Sequence, residues 1–158
     1  MARELITSWG DYQEAVDRIL GMAATHVCIF DTDLRQLHLD DSCRLNELRR
    51  LVHSAAPDSL RIALRDAEPL RRSQAPLMNL LATHGHSFAV QQIPPHLAQL
   101  RDCLILIDKR HALIRFDKDQ ARSKLLIDEP EELRPYCERF EEIWRESGEP
   151  VSPTTLGL

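Results

Sequence analysis

LRDCLILIDKRHALIRF, residues 100–116, decides the fold. Two short apolar runs, CLILI and HALI, flank a charged step at Lys109 and Arg110. Runs of this length with no polar alternation belong to strands covered on both faces, so the stretch predicts a hairpin inside a buried sheet. SKLLID, residues 123–128, adds a further strand. Upstream, FAVQQI is a strand closed by Pro94 and Pro95, because proline cannot donate to a ladder.

Further outward the period lengthens. Asp11 and Glu14 have the spacing of a capping box, and Tyr12, Ala15, Val16, Ile19, Leu20 and Ala23 then recur at helical spacing, predicting an amphipathic helix over 11–24. HVCIFDTD is a buried strand ending in acids. A helix from about Asp41 carries Leu45, Leu48, Val52 and Ala55 on one face and stops near Pro57, and SLRIALRD is the next strand. EPLRRSQAPLMNLLATHGH is helical, with Pro69 in its first turn and a fresh start at Pro76. The last helix begins at Pro130 among Asp128, Glu129, Glu131 and Glu132, which suit the positive end of the helix dipole. It shows Leu133, Cys137, Phe140 and Trp144 on one stripe and ends at Gly148 and Pro150. The expected order is αβαβαβ, a β-hairpin, a strand and a helix: a single α/β domain over residues 1–150 with a mixed sheet flanked by helices, and a tail over 151–158.

A chain of 158 residues can bury a substantial core, and no apolar run approaches the ~18 residues of a membrane span. MARELITSWGDYQEAV has no apolar segment after its basic residue, which points to a cytoplasmic protein with no membrane partner. Cys28, Cys43, Cys103 and Cys137 are widely spaced, and three fall on apolar faces, as reduced thiols do. The net charge of −5 opposes general nucleic-acid binding, but the charge is uneven. Residues 101–124 hold seven basic side chains (Arg101, Lys109, Arg110, Arg115, Lys118, Arg122, Lys124) against four acidic ones, whereas 128–149 hold nine acidic against three basic. A local basic surface beside an acidic helix can recruit an anion or another protein.

The order of elements, closed by RFEEIWRES, resembles one repeat of the phospholipase D-like superfamily over most of the chain. The resemblance implies a His-x-Lys-x4-Asp motif at CLILID. Laid on this sequence, the histidine falls at Arg101, the lysine at Cys103 and the aspartate at Asp108, so the spacing fits and two identities do not. In that family the histidine attacks phosphorus and the lysine binds the phosphate oxygens. A permanently protonated arginine cannot be the nucleophile, and a thiol inside an apolar strand is kept inert by burial. The expectation is therefore a phosphodiesterase scaffold with a degenerate motif. Its remnant, Arg101, Asp108, Lys109 and Arg110, would bind a phosphate-bearing ligand or a nucleic-acid end, or the charged faces would bind a protein. The resemblance also implies a homodimer with the two CLILID strands near the shared axis.

A second reading starts from FDTDLRQL, which resembles the first motif of the haloacid dehalogenase superfamily. Asp31 would be the nucleophile and Asp33 the general acid/base of a magnesium-dependent phosphatase. Arg35 stands where that motif has Thr or Val, and Lys109 and Arg110 follow LILID where paired carboxylates are needed. His84, His86 and His96 lack a helical H-E-x-x-H or a clustered cysteine, so no metal and no cofactor is expected; His111 reads as a turn or strand-end residue.

Overall fold

The computed structural model describes residues 1–54, 56–146 and 148–153. Strands β1 (Ala2–Ile6), β2 (Val27–Asp31), β3 (Leu60–Leu64), β4 (Phe88–Gln92), β5 (Cys103–Ile107), β6 (His111–Arg115), β7 (Ser123–Ile127) and β8 (Glu149–Pro150) form one sheet in the order β1-β7-β6-β5-β2-β3-β4-β8. The β2-β3-β4 set is parallel, as its helical crossovers require, and every other pairing is antiparallel.

Helices α1 (Trp9–Gly21), α2 (Ser42–His53), α3 (Glu68–Ser73) and α4 (Ala75–Thr83) cover one face, and α5 (Pro130–Arg145) covers the other. Strand alternation divides the core accordingly. Ile29, Ile62, Ile105 and Leu113 face the four helices, while Phe30, Ala63, Leu104 and Ile114 face Leu133, Phe140 and Ile143 of α5. Burial on both faces is why the central strands read as continuous apolar runs.

Several local expectations shift. The α1 cap is Ser8, whose Oγ accepts from the Asp11 N–H, so the helix starts two residues earlier than 11–24 suggests and Asp11 belongs to its first turn. The hairpin turns at Asp108 and Lys109, both at positive φ, with the Arg110 N–H donating to the Ile107 carbonyl. That backbone suits the twist of a two-strand ribbon. The break between α3 and α4 falls at Gln74, just before Pro76. Two strands carry no clear sequence signal: β1, with only Leu5 and Ile6 as large apolar residues, and β8, with two residues. Val151 is buried against the four-helix layer and donates its N–H to the Val90 carbonyl, so ordered chain continues past residue 150. Ala55 and residues 154–158 lie outside the described residues.

Candidate functional site

The strand β5 separates the motif positions. Arg101 lies just before its start, and Asp108, Lys109 and Arg110 lie just past its end, so Arg101 does not share a site with the other three. Arg101 is half exposed and held by Asp117 and Asp119: its Nε donates to Asp117 Oδ2 at 2.7 Å and its Nη2 to Asp119 Oδ2 at 2.7 Å. The hydrogen bond from Arg101 holds the Asp117 carboxyl down to about 2. Asp102 takes both oxygens to Arg139, tying the start of β5 to α5.

Cys103, in the lysine's place, is buried. It stands directly opposite Arg115 in the β5/β6 ladder, and Arg115 Nη2 donates to its Sγ at 3.1 Å. The same nitrogen donates to Asp31 Oδ1 at 2.9 Å, and the two side chains are 1% and 2% exposed. Trp9 and Tyr12 of α1 lie 5.4 and 5.1 Å from the guanidinium carbon and cover it. Among the described residues, Nε and Nη1 of Arg115 have no hydrogen-bond partner. Burial, reinforced by Asp31, pushes the Cys103 thiol up to about 12, far from the thiolate that nucleophilic attack needs. A cation thus stands beside the lysine's place, supplied by the neighbouring strand, neutralised by a carboxylate and roofed by aromatic rings.

This arrangement corrects the phosphatase expectation. Asp31 faces Arg115 inside the protein, and its second oxygen accepts the Leu34 N–H at 2.8 Å, while Asp33 accepts from the Arg35 N–H. Asp31 is closed to solvent where a nucleophile would have to be open, and Asp33, 18% exposed, lies against Arg35. The sequence marks Asp31 as a candidate and Arg115 only as one of the basic side chains of 101–124. The signal was there: one arginine inside the apolar run HALIRF needs a buried counter-ion, and the acid ending an adjacent apolar strand can provide it.

At the other end of β5, Asp108 is a structural carboxylate. It accepts from the N–H groups of Ala24, Thr25 and His26 at 2.8 to 2.9 Å and from the Thr25 hydroxyl. Burial raises its pKa, and these donors outweigh that and hold it below the ordinary carboxylate range. Arg110 donates to Asp128. Lys109 makes no ion pair or hydrogen bond among the described residues and stands on the rim of a cleft of about 500 Å³ between this turn and α5. The histidines do not converge: His84 packs edge-on against His53 and His96 contacts Glu146, and no group of three or more ligand side chains occurs among the described residues. Among the described residues, no helix is long and apolar enough to cross a membrane.

The model of a domain of unknown function, DUF7931, matches residues 9–152. The chain belongs to the DUF7931 family. No curated protein matches it. Among solved structures, this DUF7931 chain is similar to Nuc from Salmonella typhimurium, a phospholipase D family member, with TM-score 0.65 and 12% identity over 96% of this chain and 98% of that one. It is similar to NucT from Helicobacter pylori with TM-score 0.59 and 10% identity, over 94% and 98%. TrmBL2, an archaeal chromatin protein with a novel mode of DNA binding, aligns with TM-score 0.67 and 13% identity over 94% of this chain. The DUF7931 chain spans about half of TrmBL2, 54% of its length. The fold is phospholipase D-like: a mixed sheet of eight strands between helical layers.

Proposed function

We propose that this DUF7931 chain is a non-hydrolytic phospholipase D-like domain that works by binding. The observation that carries the reading is the state of the motif: an arginine locked to two carboxylates at the histidine's place, and a buried thiol under the Arg115–Asp31 pair at the lysine's place. No general acid or nucleophile remains in those positions.

The ligand class we assign first is a phosphate-bearing molecule or nucleic-acid end at Arg101, supported by the basic run 101–124 and by the fold's likeness to a DNA-binding protein. Fluorescence anisotropy with short duplex DNA and single-stranded RNA between 50 and 200 mM salt tests it. Binding that weakens with salt and that Arg101→Ala weakens further is expected; binding indifferent to both rules it out. A protein partner is the second reading. It is favoured by the pairing of Arg3, Arg101, Arg110 and Arg139 with carboxylates of the chain itself, which leaves little uncompensated positive field for a polyanion. A homodimer with the β5 strands near its axis belongs to the same proposal, and light scattering that finds only monomer would remove it.

A further inference from the structure

The α5 face carries a feature that the motif end does not use. Between β2, β3, β5 and α5 lies the cleft of about 500 Å³, within the usual range for small-molecule sites. Its lining joins apolar surface from Cys28, Pro57 and Cys137, with Leu106 and Phe140 buried beneath, to two cations, Arg61 and Lys109.

The cations differ in what they are free to do. Arg61 is fixed: Nη1 donates to Glu141 Oε1 at 2.9 Å, Nη2 to Cys28 Sγ at 3.3 Å, and its guanidinium carbon lies 5.2 and 5.5 Å from the Phe140 and Trp144 rings. Its Nε is buried with no hydrogen-bond partner among the described residues. Lys109 has no carboxylate within ion-pair distance among the described residues, and its charge reaches Cys137 and Glu141 across the cleft. The anions of the lining are mostly spent, Glu141 on Arg61 and Asp108 on the 24–26 loop. Asp58 remains on the rim at positive φ. An apolar floor with one uncommitted ammonium at its mouth suits a ligand with an apolar body and a single anionic group.

We infer that this cleft binds small organic anions, the anionic group paired with Lys109 and the apolar body lying on Cys28, Pro57 and Cys137. The site lies at the opposite end of β5 from Arg101, so it stands or falls separately from the phosphate-binding proposal.

The probe is 8-anilinonaphthalene-1-sulfonate, an aromatic anion whose fluorescence rises in apolar surroundings, titrated onto the native full chain and followed in parallel by amide NMR shifts. Saturable one-to-one binding with shifts centred on Thr25, Asp58 and Lys109 is expected. Lys109→Gln should raise Kd by about tenfold, the value of one charge-assisted hydrogen bond, while Arg72→Gln and Arg101→Ala leave it unchanged. Octanoate should displace the probe, and inorganic phosphate at equal concentration should not. Absence of saturable binding, an equal loss in Arg72→Gln, or displacement by phosphate and not by octanoate would overturn the inference. Loss in Arg101→Ala with Lys109→Gln unaffected would instead move the site to the motif end.

Discussion

At the scale of single residues, the motif region is governed by one buried charge. Arg115 cannot lose its proton, so burying it obliges the protein to bury a carboxylate beside it, and Asp31 answers that need at 2.9 Å. The pair is a poor source of net stability, yet breaking it is expensive, because a lone guanidinium stays inside. Asp31→Asn should therefore cost about 3–5 kcal/mol in urea unfolding. The double change Asp31→Leu with Arg115→Met should recover most of it, since an apolar pair of similar volume removes both desolvation penalties. A single-variant loss under ~1 kcal/mol would show that the pair does not seal the motif end. These residues were half legible in the sequence. The failure of the motif at Arg101 and Cys103 is visible in the letters alone, because a permanent cation and an apolar-strand thiol cannot do the family's chemistry. That Arg115 fills the gap depends on ladder register, which composition does not reveal.

At the scale of elements, the β5-β6 hairpin does more than join two strands. Its turn places Asp108 under the loop between α1 and β2, and three backbone N–H groups converge on that one carboxylate. Asp108→Ala leaves those donors without a protein acceptor and should cost about 1–3 kcal/mol with an unchanged denaturant slope; no change in midpoint would mean that water serves the loop equally well. One residue past the turn, His111 Nδ1 accepts the Asp128 N–H at 2.8 Å, which only a neutral imidazole can do. Burial, with Arg110 beside it, lowers the His111 pKa, and Asp128 opposes them. A depressed histidine contributes stability that is full above the unfolded value near 6.5 and lost as pH falls through the folded value. Asp108, Asp117 and Asp128, all depressed, contribute stability present above about pH 4 and lost below it. Thermal unfolding should thus decline in two windows on acidification, and His111→Gln should remove only the upper one. A profile flat from pH 7 to 5 in the parent protein would refute the role given to that hydrogen bond. The helices and central strands were readable because their apolar spacing is unambiguous; the hairpin's turn was misplaced by one residue because positive φ at Asp108 and Lys109 has no glycine or asparagine to announce it.

At the scale of the whole molecule, the sheet is finished by the two elements that sequence reading did not anticipate, β1 on one edge and β8 on the other. Both are weak as local patterns and exist through their partners: β1 pairs with β7 over five residues, and β8 reaches β4 only because the chain leaving α5 runs against its backbone. That passage depends on Gly148. A Cβ there would stand 1.5 Å from the Gln92 carbonyl oxygen and 2.8 Å from Ile93 Cα, and because these are backbone atoms no side-chain rotation relieves the overlap. Gly148→Ala must push β8 off β4 and lift Val151 from the core. The expected loss is about 1–3 kcal/mol, as for other forced shifts in packed structure. It should come with faster hydrogen exchange at the Val151 amide, which donates to Val90. Gly10→Ala is the matched control, since a Cβ in that turn of α1 meets nothing within 4 Å and replacing a helical glycine favours the folded chain by about 0.5–1 kcal/mol. Opposite signs for the two substitutions, with Val151 exchange altered only by the first, would establish that this close approach holds the α5 end on the sheet; equal and small effects would mean that β8 is ornamental and the domain is complete without it.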